Sequence, residues 1–566
     1  MKKIPYGESN FESIIREDYL YIDKTKYLGD LEYNKKLIYL RPRRFGKTLF
    51  TSMLDYYYGL DHADKFDDLF RALYVYDNPT PYKNSYYILK FNFSGVAAGN
   101  KADSEELSKL FANKVVQGLE KFCGRYKFNF SLDKKAMAAA VLGDFFVQFA
   151  GLELQNKIYV IIDEYDHFTN GLLRGNAKEF LEVLQRGGFV RAFYEVIKEY
   201  SENGIVDRFF ATGVMPVSLD SMTSGFNIST NITRMDAFAA MIAFTEQEVR
   251  EAIKVALPSF SEVDREQIYQ ELKQNYDGYR FTIKQEEHVF NGTLVMYYLS
   301  RYQRGGEAPE ELIDSNLNVS GESIRNIVEL LEPESNVKVI EELSLNNEVS
   351  GSFVPYFQLD KSYAKNDMLT LLFSVGFLTI KEKKLRLLFR IPNRVMEGVY
   401  FEYLLQAAQR RSNYRIDTTE IEDAILSFAE KGDLTGIADL VKNFLVQTGS
   451  RDTINFSEKN LKHTFSMFLS LSRQYVVHGE FPAGKGFADL LIQKSQGSYA
   501  TYEGLLELKY VKEADATEGN IQKLTEEGKE QIKRYLQDKR LQERENLKKY
   551  VVIFVGFERY YLEEIA

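Results

Sequence analysis

A single cysteine, Cys123, stands in a sequence of 566 residues, so neither an internal disulfide nor a cysteine-based zinc site can form. It reads as a small buried apolar side chain. Five histidines are scattered without ligand spacing, and 11 prolines break few segments. No apolar run approaches the ~18 residues needed to span a bilayer, and MKKIPYGESNFESII lacks the continuous apolar core of a signal peptide. These absences set the expectation of a cytoplasmic protein with no membrane role. The formal charge of -10 argues against a wholly basic, non-specific nucleic-acid coat, while leaving local phosphate-binding patches open.

What is present is modular. At 65.6 kDa the chain exceeds any single hydrophobic core, and 45% apolar with 27% charged residues describes a folded chain. KLIYL, SYYILKFNF, KIYVIIDEY and RFFATGV alternate with long amphipathic segments, which reads as an α/β sheet with helices on its faces. From Phe244 the pattern turns helical, with Thr245 and Glu248 as a capping box. Around Leu369 to Arg390 a helix precedes a hairpin expected to turn at Glu382 and Lys383, as in a winged-helix unit. The last 120 or so residues return to α/β: a helix, strand GFADLLIQ, an SQGS turn, strand YEGLLELKYV, a charged helix and strand YVVIFVGF. The charged run Glu526 to Lys549 reads as a solvated helix face. The expected parts are 1–243, 244–330 as a helical lid, 331–430 as a helical and winged-helix-like region, and 431–566.

RPRRFGKT follows KLIYL and precedes TLFTSMLDYYY, the strand, loop and helix of a phosphate-binding loop. Gly46 allows the turn, Lys47 reaches the β and γ phosphates, and Thr48 holds Mg²⁺; Arg43, Arg44 and Phe45 complete the loop. Arg41 occupies the place of the first glycine, with its guanidinium free to face outward beside Arg43 and Arg44. KIYVIIDEYD ends in carboxylates at a strand tip, so Asp163 is the candidate Mg²⁺ ligand and Glu164 the residue that orients attacking water. Thr212 at the tip of RFFATGV is a weaker candidate γ-phosphate sensor, since threonine in a strand needs no function.

In the last segment Asp489 lies on one strand, and Glu507 and Lys509 lie two apart on the next, so alternation puts both on one face and turns Leu506 and Leu508 to the other. A hairpin through SQGS brings Asp489 beside Glu507. Paired carboxylates fix a metal against a phosphate and a nearby lysine orients water, although any charged hairpin produces the same short pattern. Glu480 is an additional candidate metal-facing acid. Both carboxylates are expected at a solvated strand edge.

YIDKT, RPRRFGKT, IIDEYD, ATGV, FTEQEV and NYDGYRF together resemble the bacterial AAA-ATPase-like family whose members carry a C-terminal PD-(D/E)XK nuclease-superfamily domain. In that family the arginine at the first glycine position belongs to the pattern. Gly486 and Asp489 resemble its first nuclease motif and Glu507, Leu508 and Lys509 its second. Gln531 and Tyr535, four apart on one helix face, match a further motif of the superfamily. Asn275 replaces an aromatic, and IPNRVMEG lacks an acidic residue after Asn393; neither departure is expected to touch the phosphate chemistry.

The resemblance implies an α/β P-loop NTPase sheet, a helical and winged-helix middle region and a restriction-endonuclease-like α/β domain. It implies ATP and Mg²⁺ as cofactors and nucleic acid as partner, DNA before RNA, with self-association into a homo-oligomer left open. Glu164, Asp489, Glu507 and Lys509 are the expected catalytic residues. Arg174, Arg191 and Arg234 are candidates for an arginine finger. Two alternatives stand beside this: a nucleotide-dependent switch that binds without cutting, and an active ATPase with a vestigial nuclease fold.

Overall fold

The computed structural model describes residues 1–94, 104–166, 188–216, 228–309, 311–313, 321–329, 333–354, 365–412, 417–448, 456–472, 474–484, 486–495 and 497–566. The chain divides into two units. The first holds Met1–Val319, Ser323–Val339 and Glu348–Met396; the second holds Ser320–Glu322, Ile340–Asn347 and Glu397–Ala566.

In the first unit five strands form a parallel sheet in the order β2-β3-β4-β1-β5: β1 (Lys36–Leu40), β2 (Tyr86–Asn92), β3 (Lys157–Asp163), β4 (Val206–Gly213) and β5 (Thr230–Asn231). The apolar runs KLIYL and KIYVIID are buried over nearly their whole length, as strands covered on both faces require. Helix α1 (Lys47–Tyr58) follows β1 directly. Helices α2 (Ser104–Tyr126), α3 (Ala138–Ala150) and α4 (Gly188–Glu202) contribute to a core in which Phe91, Phe111, Phe145 and Phe193 are fully buried. Strand β4 lies between β1 and β3, so the phosphate loop and the acidic strand tip open side by side at the carboxyl edge, where ligands of such sheets bind.

Helix α5 (Glu246–Ala256) begins with the expected Thr245–Glu248 capping box. Glu248 also receives Lys24 of YIDKT at 2.6 Å, and Lys24 donates further to the Ala243 carbonyl at 2.7 Å. The two motifs are therefore one buried clamp. Helices α6 (Glu262–Tyr276) and α7 (Gly292–Gly305) follow. Farther on, β6 (Val349–Gly351), β7 (Thr379–Lys383) and β8 (Leu387–Arg390) form a small sheet beside α8 (Lys365–Val375). The hairpin turns at Lys384–Arg386 rather than at Glu382 and Lys383, because both of those residues still pair with β8 across a bulge.

The second unit carries a mixed sheet in the order β13-β12-β11-β10-β9. Its strands are β9 (Tyr475–Ala483), β10 (Gly486–Lys494), β11 (Glu503–Val511), β12 (Leu547–Val555) and β13 (Arg559–Ile565). Helices α9 (Thr418–Lys431), α10 (Thr435–Thr448) and α11 (Glu458–Ser470) cover one face through Leu490, Leu506 and Leu508. Helix α12 (Glu518–Tyr535) covers the other through Leu491, Leu505 and Val551. Strands β9 and β13 were not anticipated: β9 has no clean alternation, and β13 is too polar to stand out. The charged run Glu526–Lys549 is not one helix face, since α12 ends at Tyr535 and β12 begins at Leu547. Among the described residues no helix is long and apolar enough to cross a membrane.

Candidate functional sites

The phosphate loop closes on Gly46, whose φ of 101° only glycine adopts without strain. Lys47 Nζ, 8% exposed as a residue, donates to the carbonyls of Arg41 at 3.0 Å and Pro42 at 2.9 Å. Burial pushes its pKa down to about 8, against the charges of Asp166, Asp163 and Glu164. The lysine thus spans the loop, within the field of three carboxylates.

Arg41 does not face outward. Its side chain is 1% exposed and donates to four carbonyls, those of Leu40 at 2.9 Å, Thr233 at 2.7 Å, Phe238 at 3.1 Å and Ala239 at 3.2 Å. The guanidinium is held between Tyr39 and Phe281, 4.4 and 4.2 Å from the two ring centres. This arginine fastens the loop to the segment after β5. Arg43 and Arg44 are exposed. Phe45 is buried edge-on against Tyr279 at 5.1 Å and Phe281 at 5.5 Å, so only its backbone is available to a nucleotide.

The NYDGYRF motif therefore props the loop, which the sequence alone did not reveal. Its Gly278 (φ 97°) lies so close to the Pro392 carbonyl that a Cβ would sit 1.9 Å from the oxygen. Asn393 Nδ2 donates to the Asp277 carbonyl at 2.8 Å, so IPNRVMEG and NYDGYRF lock together behind the loop.

At the tip of β3, Asp163 is fully buried and neither carboxylate oxygen has a hydrogen-bond partner of good geometry, the Thr48 hydroxyl lying nearby. Burial raises its pKa, with the Thr48 hydroxyl opposing that shift. An orphaned hard-oxygen pair next to a hydroxyl suits hydrated Mg²⁺, so the residues fit the ion that accompanies a nucleotide. Glu164 is half-buried with φ 52°, a left-handed conformation held at the strand end. Asp166, which sequence reading passed over, accepts from the amides of Val214 at 2.9 Å and Met215 at 2.6 Å. It ties the β3 tip to the β4 tip through room left by the absent side chain of Gly213.

Thr212 is at the β4 tip, yet its hydroxyl donates to the Tyr39 carbonyl at 2.8 Å. Its donor serves the β1–β4 ladder. Of the arginine-finger candidates, Arg191 pairs with Glu195 one turn on at 2.8 Å. Arg234 lies over Phe353 at 4.6 Å and lines a small cleft with Arg41, Pro42 and Val214. Arg174 lies outside the described residues.

In the second unit, β10 and β11 pair at Leu490–Leu506, Leu491–Leu505 and Ile492–Gly504 and then part. The same register puts Asp489 opposite Glu507, at the throat of the fork. Asp489 Oδ2 accepts the Leu508 amide at 2.7 Å, standing in for the ladder bond lost where the strands separate. Ala488 and Leu491 share one core although three apart, so alternation breaks at Asp489. Across from it, Glu480 of β9 has φ 49°.

Both carboxylates carry a cation. Lys509 Nζ is 2.7 Å from Glu507 Oε1, and Lys462 Nζ of α11 is 2.9 Å from Asp489 Oδ1. Glu507 Oε2 is buried without a partner of good geometry. Burial first, then the charge of Asp489, pushes Glu507 up to about 7, with Lys509 and Tyr535 opposing. Tyr535 is pushed up to about 12 by burial and the two carboxylates, and Gln531 hydrogen-bonds to it. Asp489, Glu507, Lys509, Gln531 and Tyr535 thus lie together at the fork. The two carboxylates are buried there: Asp489 is 9% and Glu507 1% exposed, because α12 roofs the fork. The solvated-edge expectation is overturned.

Glu480 is also displaced from its expected place. It is exposed and meets Lys462 at 3.4 Å, and among the described residues no three acids or histidines gather into a metal cage. Two carboxylates remain, which fits Mg²⁺, an ion that keeps several waters and takes one or two carboxylates. Lys462 was missed altogether, since nothing in FSEKNLKHTF distinguishes it from other surface lysines.

Residues 5–223 match the family model described as predicted AAA-ATPase, and residues 456–564 match that of the PD-(D/E)XK nuclease superfamily. No curated protein matches the chain. The parallel sheet of the first unit is consistent with an AAA-ATPase-like domain, and the mixed sheet of the second with a PD-(D/E)XK superfamily domain.

Proposed function

We propose that the protein binds and hydrolyses ATP at the Lys47 loop and cuts phosphodiester bonds at the Asp489–Glu507 fork, with nucleotide state governing the cut. The observation that carries this reading is the fork itself, where two buried carboxylates and a lysine meet in the arrangement a phosphodiesterase needs. Mg²⁺ there would be held by Asp489 and Glu507 and would supply charge to the phosphate and acidity to a bound water. Lys509 orients that water and offsets charge building on the phosphate. Tyr535, roofing Glu507, excludes bulk solvent.

At the loop, Lys47 leaves the Arg41 and Pro42 carbonyls for the β and γ phosphates. Thr48 and Asp163 would hold Mg²⁺, and Glu164 orients water. Residues 244–330 serve as lid, and 331–430 relay nucleotide state to 431–566. Nucleic acid is the substrate class, DNA before RNA, and the setting is the cytoplasm. A second reading, binding without cutting, draws on the two ion pairs that already neutralise the fork.

The coupling is tested by cleavage assays on DNA and RNA with Mg²⁺, with and without ATP, for wild type, Lys47→Ala and Glu164→Gln. ATP-dependent cutting that Lys47→Ala loses and Glu164→Gln alters supports it. Cutting indifferent to ATP in all three proteins refutes the coupling, and absence of cutting under every condition favours the binding module.

A further inference from the structure

Lys462 has no part in the reading above. It projects from α11 toward the fork, its side chain 20% exposed, and pairs with Asp489 Oδ1 at 2.9 Å and more loosely with Glu480 Oε1 at 3.4 Å. Both oxygens of Asp489 are then occupied, one by Lys462 and the other by the Leu508 amide. Any divalent cation shared by Asp489 and Glu507 must therefore compete with the Lys462 ammonium. Lys509 is different, because Glu507 keeps a second oxygen that no cation holds, with only the Tyr535 hydroxyl nearby, while Lys509 holds the first.

From this asymmetry we propose that Lys462 is a substrate-binding residue armed by the metal: the ion takes Asp489 Oδ1, and the released ammonium, kept at the rim by Glu480, binds a backbone phosphate of the nucleic acid. The inference rests on the nuclease reading of the fork. Its physical basis is charge neutralisation. Before metal arrives, Lys462 offsets a carboxylate that is 9% exposed and would otherwise lie uncompensated. Afterwards the divalent ion does so, and a lysine beside an exposed glutamate is a mobile point charge suited to phosphate. The side chain of Glu480 is 71% exposed and only a weak anchor, so the ammonium can exchange it for an anion with little loss.

The test uses the full chain and the variants Lys462→Met, which keeps the aliphatic stem, and Lys462→Arg, which keeps the charge. Mg²⁺ affinity is measured by calorimetry without nucleic acid. Binding of a short duplex, DNA in one arm and RNA in the other, is measured over a salt series with Ca²⁺ in place of Mg²⁺.

Lys462→Met is expected to bind Mg²⁺ several-fold more tightly, since a competitor is gone. It should bind the duplex roughly tenfold more weakly, with the slope of log affinity against log salt smaller by about one. Lys462→Arg should restore the slope. A merely structural ion pair would leave the salt slope unchanged and would weaken metal binding by disordering Asp489. Either an unchanged slope or an Mg²⁺ affinity that fails to rise overturns the proposal. Wild type that binds neither Mg²⁺ nor duplex is a distinct result and overturns the nuclease reading itself.

Discussion

Replacing Arg41 by glycine would give the loop the residue that an ordinary phosphate-binding loop has at that position, and the structure predicts that this damages the protein. Four hydrogen bonds from a charged donor are lost, each worth about 1.5–3 kcal/mol when considered alone. The cation held between Tyr39 and Phe281 contributes about 2 kcal/mol more for a desolvated pair. Against this stands the cost of burying the guanidinium, several kcal/mol, which the variant no longer bears. The net loss should be roughly 3–4 kcal/mol, because buried carbonyls are left without their donor. It should be local, because the acceptors lie in the loop and in the segment after β5. Hydrogen exchange of the amides in Tyr39–Gly46 and Ile232–Ala239 should therefore quicken by roughly two to three orders of magnitude, at 1.4 kcal/mol per tenfold, while β9 to β13 stay as protected as before. ATP affinity should fall in parallel. Unchanged exchange in both segments, with ATP binding retained, would refute the reasoning and return Arg41 to the surface role read from sequence.

Gly278→Ala sets a Cβ 1.9 Å from the Pro392 carbonyl at φ 97°, so thermal unfolding of the first unit should come several degrees lower and nucleotide binding should weaken, whereas an unchanged melting temperature would mean the motif contact is slack. Asp163→Asn removes a buried carboxylate that has no hydrogen-bond partner of good geometry and should raise nucleotide-free stability by roughly 1 kcal/mol while abolishing ATP turnover; destabilisation by urea titration would show the carboxylate is satisfied, by the Thr48 hydroxyl first. Glu507 is raised in the fold from an ordinary 4.5 to about 7, so folding takes up a proton between those values. Its contribution is then full below pH 4.5 and is lost as pH rises through 7, by at most about 3 kcal/mol at 1.36 kcal/mol per pH unit. The stability of wild type relative to Glu507→Gln, followed by urea midpoints without metal, should decline over that window, and a flat difference would contradict the shift.

Local spacing made the phosphate loop, the acidic strand tip and the Asp489–Glu507 pairing legible, because each follows from strand alternation and a short turn over a few residues. What escaped detection came from distant parts of the chain. The inward turn of Arg41 depends on carbonyls at Thr233 to Ala239 and a ring at Phe281. The burial of Glu507 depends on Tyr535 across α12, and the pairing of Asp489 depends on Lys462 from a helix that precedes the strand. The bond from the Thr212 hydroxyl to the neighbouring strand's carbonyl is likewise invisible in sequence, because a hydroxyl at a strand tip looks the same whichever group it meets. Strands β9 and β13 were missed because edge strands carry little of the apolar signal that marked the central ones.

Phosphodiester cleavage at the fork is decided by release of fragments from end-labelled DNA and RNA by wild type and Asp489→Asn, titrated with Mg²⁺. The account predicts Mg²⁺-dependent fragments from wild type and, because Asn at 489 keeps the size and an acceptor for the Leu508 amide but loses the charge a metal needs, none from a variant that is still folded. Equal cleavage by the two proteins, or cleavage by wild type that persists in chelator, would contradict it.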